Sequence, residues 1–201
     1  MKTKVLLPTP SVISTETEYH NAIDLLINAF HQDPAVRWLF PDEETYPLNF
    51  GRFVNAFTQP SFDAGTMLEL QSFSAAAAWI PPDVRVDEDA VMTVVEAGVP
   101  EERREDAFHL FEQMDAYHPQ QPYAYLTFMG VLPALQGKRL GSNLLHYILS
   151  DCKLAGTPLY LESSNCANIP LYERHGFRAL GQIQSGSSPV ITPMLRAPSY
   201  H

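Results

Sequence analysis

Residues 130–149 read GVLPALQGKRLGSNLLHYIL and bring two periodic patterns together around a polar segment. The residues just before, YAYLTFMGV at 123–131, are aromatic and β-favouring and lie between Pro122 and Pro133, which predicts a strand. From Leu140 onward, apolar residues return every three to five positions, which predicts a helix packed on a sheet. This order of strand, turn and helix therefore indicates a fold in which helices pack on a sheet.

The polar segment between strand and helix is QGKRLG, residues 136–141. A tight turn at a helix N-terminus presents free backbone N–H groups and the positive end of the helix dipole, so the segment predicts an anion site, usually for phosphate. Two familiar phosphate loops are excluded. The Walker A pattern fails because Arg139 follows Lys138 and the upstream glycine is missing, and GxGxxG is absent.

Length and composition predict one globular domain. The chain has 201 residues, of which 45% are hydrophobic and 18% charged. Its 13 Lys and Arg against 23 Asp and Glu give a formal net charge of −10, which opposes binding to nucleic acid and favours a neutral or cationic partner. Solubility alone explains this charge equally well.

The two cysteines, Cys152 and Cys166, form neither a disulfide framework nor a paired metal motif. We therefore expect a reducing, cytoplasmic location and no metal. The N-terminal sequence MKTKVLLPTPSVIS has an apolar run too short for a signal peptide or a membrane span, so no membrane partner is expected.

The remaining elements follow from periodicity and from the positions of proline and glycine. We predict a short edge strand within Val5–Ser14, a helix ending before Pro34 and a second helix around Leu48–Phe57. The sequences TMLELQSF and SAAAAWI predict a hairpin, and residues 87–117 one or two inserted helices. After residue 120 the order is strand, helix, strand, helix, strand, strand, which predicts a mixed sheet covered by helices.

The segment QGKRLG resembles the pyrophosphate loop of the GNAT superfamily of N-acetyltransferases, whose signature is Q/R-x-x-G-x-G/A. Gln136 and Gly141 match its ends, and Arg139 stands where the central glycine is expected. A second segment, LESSNCANIPLYERHGF at 161–177, is similar to the family's closing motif. The matching residues are Asn168, Leu171, Tyr172, Gly176 and Phe177. From the residues alone, Asn168 could instead cap a helix and Tyr172 could be core.

This resemblance implies a GNAT-like α/β fold of the α+β type. We expect one domain over residues 1–201, with a central mixed, mostly antiparallel twisted sheet of six to seven strands flanked by helices. A helical insertion of about residues 87–117 would precede the fourth strand, and the cofactor-binding half would span about 120–180.

The resemblance also implies acetyl-CoA as co-substrate and assigns the residues that hold it. Backbone groups around Met129, Gly130 and Val131 would pair with the pantetheine arm. The pyrophosphate would bind to Gln136, Gly137, Lys138, Arg139, Leu140, Gly141 and Ser142. Asn168 would bind the pantetheine, and Tyr172 would protonate the leaving thiolate.

The proton acceptor and the acceptor pocket are less well marked. Glu162 is the preferred catalytic carboxylate, with Glu69 and His118 as alternatives. By similarity, Trp38 and Phe40 would line the acceptor pocket, although core packing explains both equally well.

Arg139 poses a specific question. We expect the helix to have begun there, so that Arg139 keeps an ordinary helical φ and adds charge for the phosphates; a positive φ would instead make the missing glycine a source of strain. The predicted function is direct acetyl transfer to a primary amine of a small molecule or peptide, by a monomer or homodimer. The alternative is a non-catalytic acyl-CoA-binding module.

Overall fold

A computed structural model of the chain describes residues 8–151 and 156–198. Three helices lie in the first third of the chain, and the first two begin with side-chain caps. Thr15 and Glu18 form a reciprocal capping box, and the side chain of Asp33 caps the second helix. These helices are α1 (Glu16–Ala29), α2 (Pro34–Leu39) and α3 (Tyr46–Asp63).

The next elements build the sheet and the helical insertion. The described residues contain strands β1 (Ser11–Val12), β2 (Met67–Leu70), β3 (Ala75–Ile80), β4 (Ala124–Val131), β5 (Leu159–Ser163), β6 (Arg178–Ala179) and β7 (Thr192–Arg196). The remaining helices are α4 (Glu88–Gly98), α5 (Glu101–Tyr117), α6 (Leu140–Ser150) and α7 (Ile169–Arg174). Helices α4 and α5 form the predicted insertion before the fourth strand.

The seven strands form one mixed sheet in the order β1-β2-β3-β4-β5-β7-β6. Its neighbours are antiparallel except β4 and β5, which are parallel. This confirms the predicted fold class. The predicted edge strand is reduced to Ser11–Val12, and its residues 5–7 lie outside the described part. The short helix α2 was not predicted, because Pro34 reads as a stop signal but here occupies the first helical turn.

Helices cover both faces of the sheet. One buried cluster joins the sheet to α1–α5, and a second joins it to α6 and α7. The four alanines of β3 divide between them: Ala76 and Ala78 face the first cluster, and Ala75 and Ala77 the second. All four are fully buried, so these small side chains let helices approach the central strand from both sides.

Strand β4 carries a bulge at Thr127. Ala78 pairs with Phe128, whereas the next residue of β3, Trp79, pairs with Leu126. The extra residue reverses the alternation of side chains, so Tyr125 and Phe128 both pack with the first cluster. The bulge thereby turns aromatic side chains on both sides of it toward α1–α5.

Strands β4 and β5 pair only at their first residues. Ala124 pairs with Leu159 and Tyr125 with Tyr160, and no further pair follows. Beyond Tyr125 the two strands diverge. The backbone groups of β4 that point toward β5 are then left without a partner strand. The sheet is therefore split at its centre.

Gly130 sets how closely α1 approaches β4. A Cβ at this position would lie 2.9 Å from both Ala29 Cβ and Leu26 Cδ2. We expect Gly130→Ala to lower the free energy of unfolding by about 1–3 kcal/mol through overpacking, measured by urea denaturation. Gly141→Ala is the matched control. Gly141 lies in helix α6, where alanine is favoured, and its new Cβ would make ordinary contacts at 3.6–3.9 Å with side chains of other elements. A Gly130→Ala protein as stable as the wild type would contradict this reading.

Candidate active site

The loop before α6 presents unpaired backbone N–H groups. Gly137 has φ +75° and Arg139 φ +66°, and the helix starts at Leu140 with no side-chain cap. The first-turn amides of α6 have no intrahelical partner, and Gln136–Arg139 are exposed. Alternating backbone conformations of this kind gather N–H groups into an anion-binding concavity. The loop thus fits the pyrophosphate of a coenzyme.

The expectation about Arg139 is wrong. Arg139 lies before the helix and adopts the left-handed conformation, φ +66° and ψ +14°. The left-handed conformation costs a non-glycine residue about 1–2 kcal/mol of conformational free energy, because its Cβ crowds the following carbonyl. Arginine therefore carries the strain that a glycine would avoid, and the residue is exposed to solvent.

Neighbouring elements hold this loop in place. Gln136 Nε2 donates to the carbonyl of Val131 at 3.3 Å, which ties the loop to the end of β4. Ser142 Oγ lies 3.0 Å from His175 Nε2, and His175 Nδ1 lies 2.9 Å from the carbonyl of Leu171. These contacts join the first turn of α6 to α7.

A cavity of about 110 Å³ passes through the sheet where β4 and β5 diverge. Asn168 and Tyr172 line it on the side of α7. On the opposite face it is lined by Phe30, Val36 and Phe53 from the first three helices. The split between the strands therefore connects the face covered by α6 and α7 with the face covered by α1–α5.

Tyr172 lies in this passage and is 8% exposed. Its ring packs edge-on against Phe177, with ring centroids 5.8 Å apart. Burial, and then the nearby charge of Asp33, raise the pKa of Tyr172 above the usual tyrosine value. The hydroxyl therefore keeps its proton throughout the neutral range and can act as a donor.

Asn168 does not cap α7 through its side chain, although it occupies the N-cap position. The side chain of Asn165 instead caps the preceding 3-10 turn, Cys166–Asn168, where its Oδ1 accepts from the N–H of Ala167 at 3.0 Å. The exposed Asn168 lines the cavity. Asn168 thus holds the N-cap position considered from sequence, but without a side-chain hydrogen bond to the helix.

Two of the alternative catalytic residues form one pair. Glu162 Oε1 lies 3.1 Å from His118 Nε2, and the Glu162 side chain is only 4% exposed. The His118 ring also packs against Tyr160 and Tyr125, with centroid distances of 5.0 and 5.4 Å. Burial and the Glu162 carboxylate raise the pKa values of both tyrosines. Sequence treated Glu162 and His118 as competitors, since 44 positions separate them.

Asp33 lies near the cavity, and its role there was not predicted from the sequence. Its Oδ2 accepts from Ser164 Oγ at 2.7 Å, and its Oδ1 accepts from the amides of Ala35 and Val36. It is 7% exposed, and burial raises its pKa against the opposing effect of these hydrogen bonds. An aspartate directly before a proline and an apolar run is a helix-start signal that could have revealed it. Asp33 fixes α2 to the end of β5 beside Tyr172.

The expectation that Trp38 and Phe40 line the acceptor pocket is corrected. Trp38 donates its indole N–H to Ser187 Oγ, and Phe40 packs on Phe50 and Phe53; both are buried core residues outside the cavity lining. Other residues of α2, Ala35, Val36 and Leu39, line the cavity instead.

Glu69 accepts from the N–H of Phe73 at 3.0 Å and so stabilises the hairpin turn. Cys166 is exposed, and Cys152 lies outside the described residues. Within the described ranges, no cluster of three His, Cys, Asp or Glu side chains suits a metal ion, and no helix there is long and apolar enough to span a membrane.

Known proteins share both the sequence pattern and the fold. Residues 107–177 match the model of the Acetyltransferase (GNAT) family. An uncharacterised N-acetyltransferase of Schizosaccharomyces pombe is 26% identical over 176 residues, which are 80% of this chain and 70% of that protein.

Solved structures match nearly the whole chain. An acetyltransferase from Corynebacterium glutamicum, described as histone acetyltransferase HPA2 and related acetyltransferase, has a TM-score of 0.71 at 20% identity and covers 98% of this chain and 99% of its own. A mosquito arylalkylamine N-acetyltransferase like 5b has a TM-score of 0.63 at 16% identity, covering 94% and 99%. At such low identity these structures bear on the fold alone.

The split sheet, the loop before α6 and the tyrosine in the passage all lie within the part of the chain that matches this family. Residues 107–177 thus resemble the GNAT acetyltransferase family, and the chain shares the fold of the solved acetyltransferase structure. Acetyl-CoA is the acyl donor that this similarity implies.

Two substitutions separate strain from charge at Arg139. Arg139→Gly removes both, whereas Arg139→Ala removes only the charge and keeps the left-handed backbone. We expect Arg139→Gly to raise the free energy of unfolding by about 1 kcal/mol over Arg139→Ala, measured in urea. Both should weaken binding of coenzyme A by about two- to fivefold in low-salt calorimetry, because one exposed cation is lost. Equal stability of the two variants would rule out strain at this residue.

Proposed function

We propose that the protein transfers the acetyl group of acetyl-CoA directly to a primary amine of a small molecule or peptide, in a ternary complex. The observation that carries the proposal is the passage through the sheet. It brings Tyr172 from the coenzyme face and Glu162 from the opposite face into one cavity. Donor and acceptor could therefore meet between β4 and β5 while each stays bound on its own side.

The coenzyme would occupy the cofactor-binding half, about residues 120–180. Amides of Gly137–Ser142 would hold the pyrophosphate, helped by the side chains of Lys138 and Arg139. The open edge of β4 at Met129 and Val131 would pair with the pantetheine arm as an added strand. Asn168, whose side chain makes no capping hydrogen bond, would hydrogen-bond the same arm. When bound, the coenzyme supplies a thioester activated for attack by an amine.

The chain's own residues would then accept a proton from the acceptor and donate one to the leaving group. The Glu162 and His118 pair would take a proton from the acceptor ammonium group, because only the neutral amine is a nucleophile. As the new carbon–nitrogen bond forms and the carbon–sulfur bond breaks, Tyr172 would give its proton to the leaving sulfur, and the proton that the new amide nitrogen loses would restore the phenol. Asp33 would position this tyrosine and the end of β5.

Direct transfer is favoured over an acyl-enzyme route by the residues around the passage. A covalent intermediate needs an activated nucleophile such as a thiolate. Cys166 is exposed and does not line the cavity. Ser164 lines it, but its hydroxyl donates to the carboxylate of Asp33 rather than to an imidazole.

The proposal is tested by acceptor-dependent release of free thiol from acetyl-CoA, measured with a panel of primary amines between pH 6 and 9. We expect initial rates that depend on both substrates with intersecting double-reciprocal lines, as ternary complexes give. Tyr172→Phe should lower kcat by about 10²-fold or more while the Kd of coenzyme A changes little. Binding of coenzyme A without thiol release from any amine would instead support a non-catalytic module.

Glu162→Gln tests the proton acceptor. Glutamine keeps the size of the side chain but cannot take a proton, so kcat should fall by about 10²- to 10⁴-fold without loss of coenzyme affinity. Glu173→Gln, an exposed carboxylate on α7 next to Tyr172, is the matched control and should keep full activity. If Glu162→Gln remains as active as this control, the base lies elsewhere.

A further inference from the structure

A second and larger cavity of about 810 Å³ lies on the face covered by the helical insertion. It is bounded by the end of β3, the start of β4 and the helices α4 and α5. Helix α4 lies before the region that matches the family model, which begins at residue 107. This acceptor chamber, as we name the cavity, is therefore built partly by elements outside the matched region.

The chamber adjoins the passage through the sheet. Four residues line both cavities, namely Phe57, Phe111, Met114 and Tyr125. His118 lies in the wall of the chamber and Glu162 in the wall of the passage, so their 3.1 Å contact spans the boundary. A molecule filling the chamber could thus direct one end through this neck toward the catalytic pair.

The inner wall of the chamber is apolar. Val91, Met92 and Phe108 contribute to it from α4 and α5, and Tyr125 adds an aromatic ring next to the neck. Aliphatic, thioether and aromatic side chains favour a bulky apolar group, which gains free energy on leaving water. The volume falls in the range of pockets that bind small molecules.

Charge in the wall favours a cation. The lining residues include one guanidinium, that of Arg85, and three carboxylates, those of Glu88, Glu112 and Asp115. All four side chains belong to exposed residues, so they act as a negative rim rather than as buried ion pairs. Such a rim attracts ammonium groups from solution, and the tyrosine faces can stabilise them further.

We infer that this chamber is the acceptor site and that the acceptor is a primary amine on a bulky, mainly aromatic or branched apolar body. The inference rests on the proposed function and adds the substrate class. Peptide acceptors fit less well, because a bound peptide backbone needs polar partners that the apolar wall does not offer. The amine enters the neck, and the apolar body stays between α4 and α5.

A substitution that fills the chamber tests the inference. Met92 lines the chamber from α4, whereas the adjacent Thr93 is exposed and does not. We expect the wild type to show a kcat/KM for 2-phenylethylamine about 10- to 100-fold above that for ethylamine. Met92→Trp should lower this ratio at least tenfold, and Thr93→Trp should leave it unchanged. Unchanged melting temperature and coenzyme A affinity would show that the variants fold.

The outcomes separate this inference from the proposed function. Equal kcat/KM values for both amines, or equal effects of the two tryptophan variants, would overturn the acceptor chamber while acetyl transfer stands. Preference for a lysine-containing peptide over 2-phenylethylamine would also overturn it. If no amine releases thiol, the proposed function fails, and calorimetric binding of 2-phenylethylamine decides the chamber separately. Binding that Met92→Trp abolishes supports the chamber, and absence of binding to the wild type overturns it.

Discussion

Everything at the active site depends on the short parallel contact between β4 and β5. The two strands exchange pairs only at Ala124 and Tyr125, and then separate. A longer ladder would satisfy more backbone groups but would close the passage and bury the edge of β4 that is proposed to pair with the coenzyme. The sheet therefore gives up hydrogen bonds at its centre, and the open backbone is compensated only when a ligand adds to it.

The two faces of the split sheet have different tasks. The side of α6 and α7 offers free amides and cationic side chains, which suit phosphate. The side of α1–α5 offers aromatic rings, a buried carboxylate and a histidine, which suit an apolar amine and its proton. The bulge at Thr127 contributes to this division, because it turns both Tyr125 and Phe128 toward the face covered by α1–α5. Acidic net charge is thus compatible with an anionic coenzyme, since the local charge at the loop is positive.

Periodicity and local motifs predicted most of the fold. The strand before QGKRLG, the helix after it and the closing LYERHGF segment were all recognisable, because each depends on residues close in sequence. The catalytic pair was not, since His118 and Glu162 belong to different elements that only the sheet brings together. For Trp38 and Phe40 the sequence left pocket lining and core packing open, because aromatic content does not say which buried neighbours a side chain packs against. Arg139 was misjudged because the start of a helix cannot be read to one residue without its capping geometry.

The hydrogen bond between Asp33 and Ser164 joins residues 131 positions apart. Tyr172 feels the charge of the same aspartate, and β5 is held on its far side by β7 near the end of the described chain. The site thus depends on contacts between segments that are distant in sequence, and β5 has no strand partner on its far side until β7 joins the sheet. Enzyme activity would therefore report the docking of these segments on one another rather than the formation of any one of them.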